Sequence, residues 1–421
     1  MIKTIPILPG VTLRCFPDGR FKQSCLSLQF VRPMCREEAA CNALIPSVLL
    51  RGCRTAPDLR DITLRLDDLY GAAVGAVVRR IGDYQTTGLH CNFIEDQFAL
   101  DGESVLADMV EFLGQLLIEP VLENGVFRRD YVESEKKNLI TTIESQRNNK
   151  RAYASAQLLR RMCEGDSFGI PRLGESEQVK EITTTQAYAH YQKLLASAPV
   201  EIFYVGSARP EQVAALIRPL FEKMDGCREE LPGQTPLSSP EGGQQEERME
   251  VAQGKLAMGF VTPITITDQE FAGMQLLNTL FGGGMTSKLF VNIREKNSLC
   301  YDISSSYHSV KGIITVGAGI DCDKKETVEA QILEQLEDCR QGRFSDGELR
   351  AAREAVLSSL RGVHDSPGAI ENYYAVGALS GLGRTPEEYS RQICDVTREQ
   401  VAQAAKSMKL HTVYFLRGEQ A

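Results

Sequence analysis

Two stretches, EITTTQAYAHYQKLLASAPVEIFYVG at 181–206 and DVTREQVAQAAKSMKLHTVYFLRG at 395–418, follow one plan at nearly the same length. Each offers a threonine suited to cap a helix, then a helical segment, then a short apolar strand. A second pair repeats the pattern upstream. EEAACNALIPSVLLRG (37–52) and QEFAGMQLLNTLFGGG (269–284) each read as an apolar helix stopping at glycine, with a further helix after it. Self-similarity on this scale predicts an α+β fold made of two homologous domains, each an antiparallel-rich β-sheet packed with helices.

Between the halves, 225–247 reads DGCREELPGQTPLSSPEGGQQEE, with three prolines, four glycines and almost no apolar periodicity. So little to bury predicts a solvated linker, leaving domains at 1–224 and 248–421. Period-2 or continuous apolar runs predict strands at 25–31, 87–94, 201–205, 256–262 and 313–319. Helical spacing predicts helices at 103–118 and 325–339. One or two long helices are expected over 124–163, with Val132, Leu139, Ile140 and Ile143 on one stripe and a polar break at Asn148-Asn149.

The chain has 421 residues, 43% hydrophobic and 24% charged, the balance of a globular protein. Its net charge of −9 disfavours nucleic acid as a partner, because tracking phosphates needs a basic face. No run reaches the roughly 20 apolar residues of a membrane span. The opening MIKTIPILPGVTLRCFPDG lacks the apolar core of a signal peptide, so a cytoplasmic location is expected. Twelve cysteines are scattered without a CxxC or a Cys-His cluster, mostly beside apolar residues, as reduced thiols are in the cytosol.

Chemistry is scarce. None of the five histidines lies within ten residues of another, so the chain has no HxH, HExxH or HxxEH pair to begin a zinc site. There is no GxSxG nucleophile elbow. Gly282, Gly283 and Gly284 fail the phosphate-loop spacing and follow a helix, which leaves a helix terminus or a substrate-contacting loop. The richest stretch is SKLFVNIREKNSLCYDISSSY (287–307). Here a helix carrying Leu289, Phe290 and Ile293 inward should end near Lys296-Asn297, and a strand should begin at Leu299. Arg294 and Tyr301, seven residues apart, can then point a guanidinium and a phenol into one space. By spacing alone, a helix-terminal arginine and a strand tyrosine are equally ordinary.

That stretch closely resembles the second-half signature of the insulinase/pitrilysin family of zinc peptidases, the inverzincins. The resemblance implies that Arg294 and Tyr301 contact the substrate at the scissile bond. In the first half it aligns Val48-Leu49-Leu50-Arg51-Gly52 with the end of the family's HxxEH helix. Ala43, Pro46 and Ser47 then stand where His, Glu and His would, and Thr142 at the distal ligand position, with Glu135 and Glu144 nearby. Such a set cannot hold zinc, so no cofactor is expected in this chain.

Leu69-Tyr70-Gly71, Asn148-Asn149-Lys150 with Tyr153-Ala154, and the REKNSLCY run resemble the family's zinc-less members, which accompany an HxxEH-bearing sibling. The implied function is the non-metal subunit of a two-chain metallopeptidase. The sibling would carry the zinc, in a heterodimer or else beside a homodimer of this chain, and the pair would cleave peptides. Gly282–Gly284 would be a further substrate contact. The alternatives are an inactive peptide-binding or scaffolding protein of the same fold, or an enzyme with other chemistry.

Overall fold

The computed structural model describes residues 2–224, 226–237 and 242–418. Positions 225 and 238–241 of the expected linker lie outside the described residues. The strands, in chain order, are β1 (Lys3–Leu8), β2 (Val11–Pro17), β3 (Gln23–Pro33), β4 (Ala73–Ile81), β5 (Tyr84–Ile94), the two-residue β6 (Leu122–Glu123) and β7 (Val126–Phe127), β8 (Val200–Gly206), β9 (Gln244–Met249), β10 (Gly254–Val261), β11 (Asp302–His308), β12 (Ile313–Ile320) and β13 (Lys409–Gly418). The chain divides into two compact units. The first comprises residues up to Glu144, Ile170–Gly233 and His364–Val376; the second comprises Ser145–Gly169, Gln234–Val363 and residues from Gly377 on. Each unit thus includes a segment from the other half of the sequence.

The first unit holds a six-stranded sheet in the order β1-β2-β8-β3-β5-β4, with β2 and β8 parallel and every other pair antiparallel. The second holds five strands in the order β11-β12-β10-β13-β9, with β13 and β9 parallel. Taken from β2 and from β9, the same five-strand pattern recurs, with its parallel pair in the same place. The expected α+β duplication is therefore present in the topology. In both halves the helix before the parallel strand begins with a threonine capping box, Thr183 with Gln186 and Thr397 with Gln400.

The expected strands at 25–31, 87–94, 201–205 and 313–319 lie within β3, β5, β8 and β12, and the one at 256–262 lies within β10 except for its last residue, since β10 ends at Val261. β1 escaped the sequence reading because Pro6 interrupts it; at the sheet edge the proline is tolerated, and the register shifts between Pro6 and Leu8. β9, which includes the last residues of the expected linker, is the polar edge run QQEERM, with no apolar alternation to betray it.

The long helical stretch is two helices, Arg129–Ser145 and Lys150–Met162, and the Asn149 side chain caps the second through the Ala152 N–H at 3.1 Å. The break at Asn148-Asn149 falls beside the change of unit. Leu139, Ile140 and Ile143 of the first helix pack on the first unit's core, between the sheet and helices including Val105–Ile118 and Thr184–Ser197. Ala154, Leu158 and Met162, four residues apart, lay the second helix onto the second unit's sheet. Gly259 on β10 permits that approach: a Cβ there would sit 2.0 Å from the Met162 sulfur.

None of the twelve cysteines is in a disulfide, and seven of them are buried. Burial pushes the Cys15 and Cys25 thiols up to about 12. Among the described residues, no helix is long and apolar enough to cross a membrane.

Candidate functional site

In the second unit, Leu289–Lys296 is a π-helical segment anchored by the fully buried Leu289 and Ile293, with Phe290 only half-buried. It closes with the Leu299 N–H on the Ile293 carbonyl at 3.0 Å and Ser298 in the left-handed region at φ +50°. Because the Leu299 N–H closes the helix, the strand begins at Asp302, three residues later than expected. The Tyr301 N–H, bonded to the Gly319 carbonyl at 2.8 Å, starts the ladder onto β12.

This turn brings Arg294 and Tyr301 to one open cleft of about 400 Å³, bordered also by Glu295, Ser298, Cys300, Asp321 and Lys324. The Arg294 guanidinium lies 4.6 Å from the Phe290 ring centroid. Its Nε donates to the Tyr301 carbonyl at 2.9 Å and its Nη1 to Glu295 at 2.8 Å. Nη2 has no hydrogen-bond partner among the described residues. The Tyr301 ring is 53% exposed, and its hydroxyl donates to Asp321 Oδ1 at 2.9 Å. The bond to Asp321 raises the phenol above its ordinary pKa, with the carboxylate's charge adding to it. Burial pushes the neighbouring Cys300 thiol up to about 11, which favours the protonated thiol at neutral pH. Asp321 and Lys324 were missed in the sequence reading; the hairpin register that sets the end of β12 beside Tyr301 could have found them.

None of Gly282, Gly283 and Gly284 lines this cleft. Gly282 is buried, and a Cβ there would approach Ser305 Oγ to 2.7 Å and a Leu289 methyl to 2.8 Å. Gly284 faces open space, next to a Met285 that is 76% exposed.

In the first unit, Ala43 and Pro46 are buried inside the helix Arg36–Leu49, and Ser47 is half-buried. Thr142 is exposed, its hydroxyl donating to the Asn138 carbonyl at 2.9 Å. Glu144 is exposed, and Glu135 pairs with Arg51 at 3.4 Å. Alanine and proline side chains offer no donor atom, so these residues do not fit a zinc ion. Among the described residues, no group of three or more His, Cys, Asp and Glu side chains could hold a metal.

What stands here instead is a hydrogen-bonded core. Pro46 lacks the N–H that would bond the Asn42 carbonyl one turn back, and the Thr87 hydroxyl on β5 donates to that carbonyl in its place. The Asn42 amide donates to Gln85 at 2.9 Å, and its oxygen lies 2.7 Å from His190 Nε2. Burial, the largest influence on the His190 imidazole, holds its pKa below the ordinary value despite Glu38 nearby. A neutral ring whose Nε2 carries the proton completes this arrangement.

Comparison with known proteins agrees with this picture. A family model described as the peptidase M16 inactive domain matches residues 181–356. The chain is 29% identical over 412 residues to "Probable inactive metalloprotease YmfF" of Bacillus subtilis (strain 168), covering 97% of this chain and 96% of that protein. The chain is similar to members of the M16 peptidase family. The crystal structure of a conserved protein from Enterococcus faecalis V583 superposes on this chain with a TM-score of 0.92 at 28% identity, covering 100% of this chain and 99% of that one. A peptidase M16 inactive domain from Pseudomonas fluorescens shares the fold, with a TM-score of 0.79 at 19% identity over 99% of this chain and 98% of that one. The chain is thus a homologue of a protein described as a probable inactive metalloprotease.

Proposed function

We propose that this chain is the non-metal subunit of a two-chain peptidase acting in the cytoplasm. An HxxEH-bearing sibling would supply the zinc and the general base, most simply as a heterodimer. Arg294 and Tyr301 would fix the scissile carbonyl of a peptide and stabilise the oxyanion formed on it. The observation that carries this reading is their shared cleft. Arg294 Nη2 is unengaged among the described residues and the Tyr301 ring is half exposed, as donors reaching for a substrate oxygen need to be. The exposed Gly283-Gly284 turn with Met285 would be a second contact for the peptide.

The test is hydrolysis of a fluorogenic peptide by this chain, by the sibling, and by the two mixed with zinc present. Silence from this chain alone and cleavage by the mixture is the expected result. Tyr301→Phe should then lower the rate about 100- to 1000-fold, as loss of an oxyanion donor does. Full activity of the mixture with both Arg294→Ala and Tyr301→Phe would sink the role. The second reading, an inactive peptide-binding or scaffolding protein, draws on the relative described as inactive; it expects complex formation without cleavage and no effect of either substitution.

A further inference from the structure

Resting on that reading, the cleft assigns a role to a residue outside the Arg/Tyr pair. Asp321 follows directly on β12, and its two oxygens are divided: Oδ1 accepts the Tyr301 hydroxyl at 2.9 Å, and Oδ2 pairs with Lys324 Nζ at 2.7 Å. Lys324 lies three residues on, on the turn that follows β12, so the carboxylate is held from its own backbone while the phenol reaches it from across the hairpin. A phenol has one proton to donate. In the free chain that proton is given to a carboxylate, a charged acceptor stronger than the neutral carbonyl of a bound peptide. The oxyanion of a tetrahedral intermediate is charged too, and can draw the phenol's hydrogen bond away from Asp321 where the ground-state carbonyl cannot.

We propose that Asp321, clamped by Lys324, is the positioning residue of Tyr301 and reserves its hydrogen bond for the oxyanion over the ground-state carbonyl. An interaction made only as charge develops speeds the reaction without tightening substrate binding. The other charged or ionisable groups around the phenol are Arg294 and Glu295 on the helix and Cys300 beside the turn. Among the described residues, the hydroxyl's hydrogen bond goes to Asp321 and to none of these.

Two measurements test the assignment. The first needs no partner. Ionisation of Tyr301 is followed as the ultraviolet difference between the chain and its Tyr301→Phe variant, with and without Asp321→Asn. Loss of the carboxylate should move that ionisation to lower pH, and Asp321→Glu should retain it; an unmoved titration overturns the positioning. The second uses the chain mixed with its HxxEH-bearing sibling. Asp321→Asn frees the phenol to bond the ground-state carbonyl, so KM should fall about 2- to 5-fold, the scale of an exposed polar contact, with kcat not lowered, because the oxyanion no longer competes with the carboxylate. An unchanged or raised KM overturns the reservation. If the titration moves as expected and no combination cleaves peptide, the Asp321 contact stands and the two-chain reading fails.

Discussion

Replacing Thr87 by valine tests whether the helix aligned with a zinc motif has become a structural element. Thr87 is 1% exposed and Asn42 fully buried, and the Thr87 hydroxyl caps the carbonyl that Pro46 leaves open. Valine keeps the shape and removes the donor. The buried acceptor then goes unpaired, at a cost of about 1–3 kcal/mol. In a Pro46→Ala background the helix regains the N–H of residue 46, which can bond the Asn42 carbonyl itself. There Thr87→Val should cost only about 0.5–1 kcal/mol, so the two changes should couple by about 1 kcal/mol. Pro46→Ala alone combines two opposing effects. The helix gains up to about 3 kcal/mol of propensity, while losing two buried methylenes costs about 1.6 kcal/mol, for a net gain of at most about 1.4 kcal/mol. Urea unfolding of the parent, both single variants and the double variant measures all of this. If Thr87→Val costs the same in both backgrounds, the hydroxyl is not substituting for the missing helix bond and the argument fails.

Two further tests address charges in the first unit. For Glu38, burial by itself raises the carboxyl pKa, but Arg32, with bonds at 3.0 and 3.1 Å, and Lys193 at 2.6 Å overcome it and hold the group down at about 2. A depressed carboxyl contributes stability above its unfolded pKa and loses it as pH falls through the folded value. The contribution should therefore disappear between about pH 4.5 and 2; full linkage gives about 3 kcal/mol, reduced by solvent screening to about 1–2 kcal/mol. Glu38→Gln should flatten that part of the stability–pH profile, and an unchanged acid limb would contradict the assignment. Glu371 is 3% exposed and accepts from Ser27 at 2.6 Å, Gln29 at 2.9 Å and both Arg79 terminal nitrogens at 3.0 and 2.8 Å. Glu371→Ala removes the carboxylate acceptor of Arg79 and Ser27 from a buried site, and a loss of about 3 kcal/mol is expected, with faster proteolysis across 364–376. Wild-type cleavage kinetics there would show that the carboxylate does not hold the segment.

The duplication was legible because it is written twice in local chemistry: a capping threonine, an amphipathic run and an apolar strand at 181–206 and again at 395–418. β3, β5, β8, β10 and β12 were legible because buried strands need apolar side chains whatever their neighbours. The absence of a zinc set follows from residue identity, since alanine and proline have no donor atoms in any fold. Local sequence gave no such signal for β1 and β9, whose residues answer to an edge position, nor for the exchanged segments 145–169 and 364–376, whose destination depends on the surface that receives them.

The same division runs through the cleft. Arg294 and Tyr301 could be paired by their spacing, because one helix end and one turn lie between them. Asp321 could not, since it is twenty residues from Tyr301 and meets it only through the β11–β12 register. Likewise the sequence shows that Pro46 removes a hydrogen bond, and only the sheet packed against its helix supplies Thr87 to replace it. Residue identity sets which groups can donate, accept or bind; long-range pairing sets which of them meet, because a contact across a sheet depends on register and packing that no local window contains.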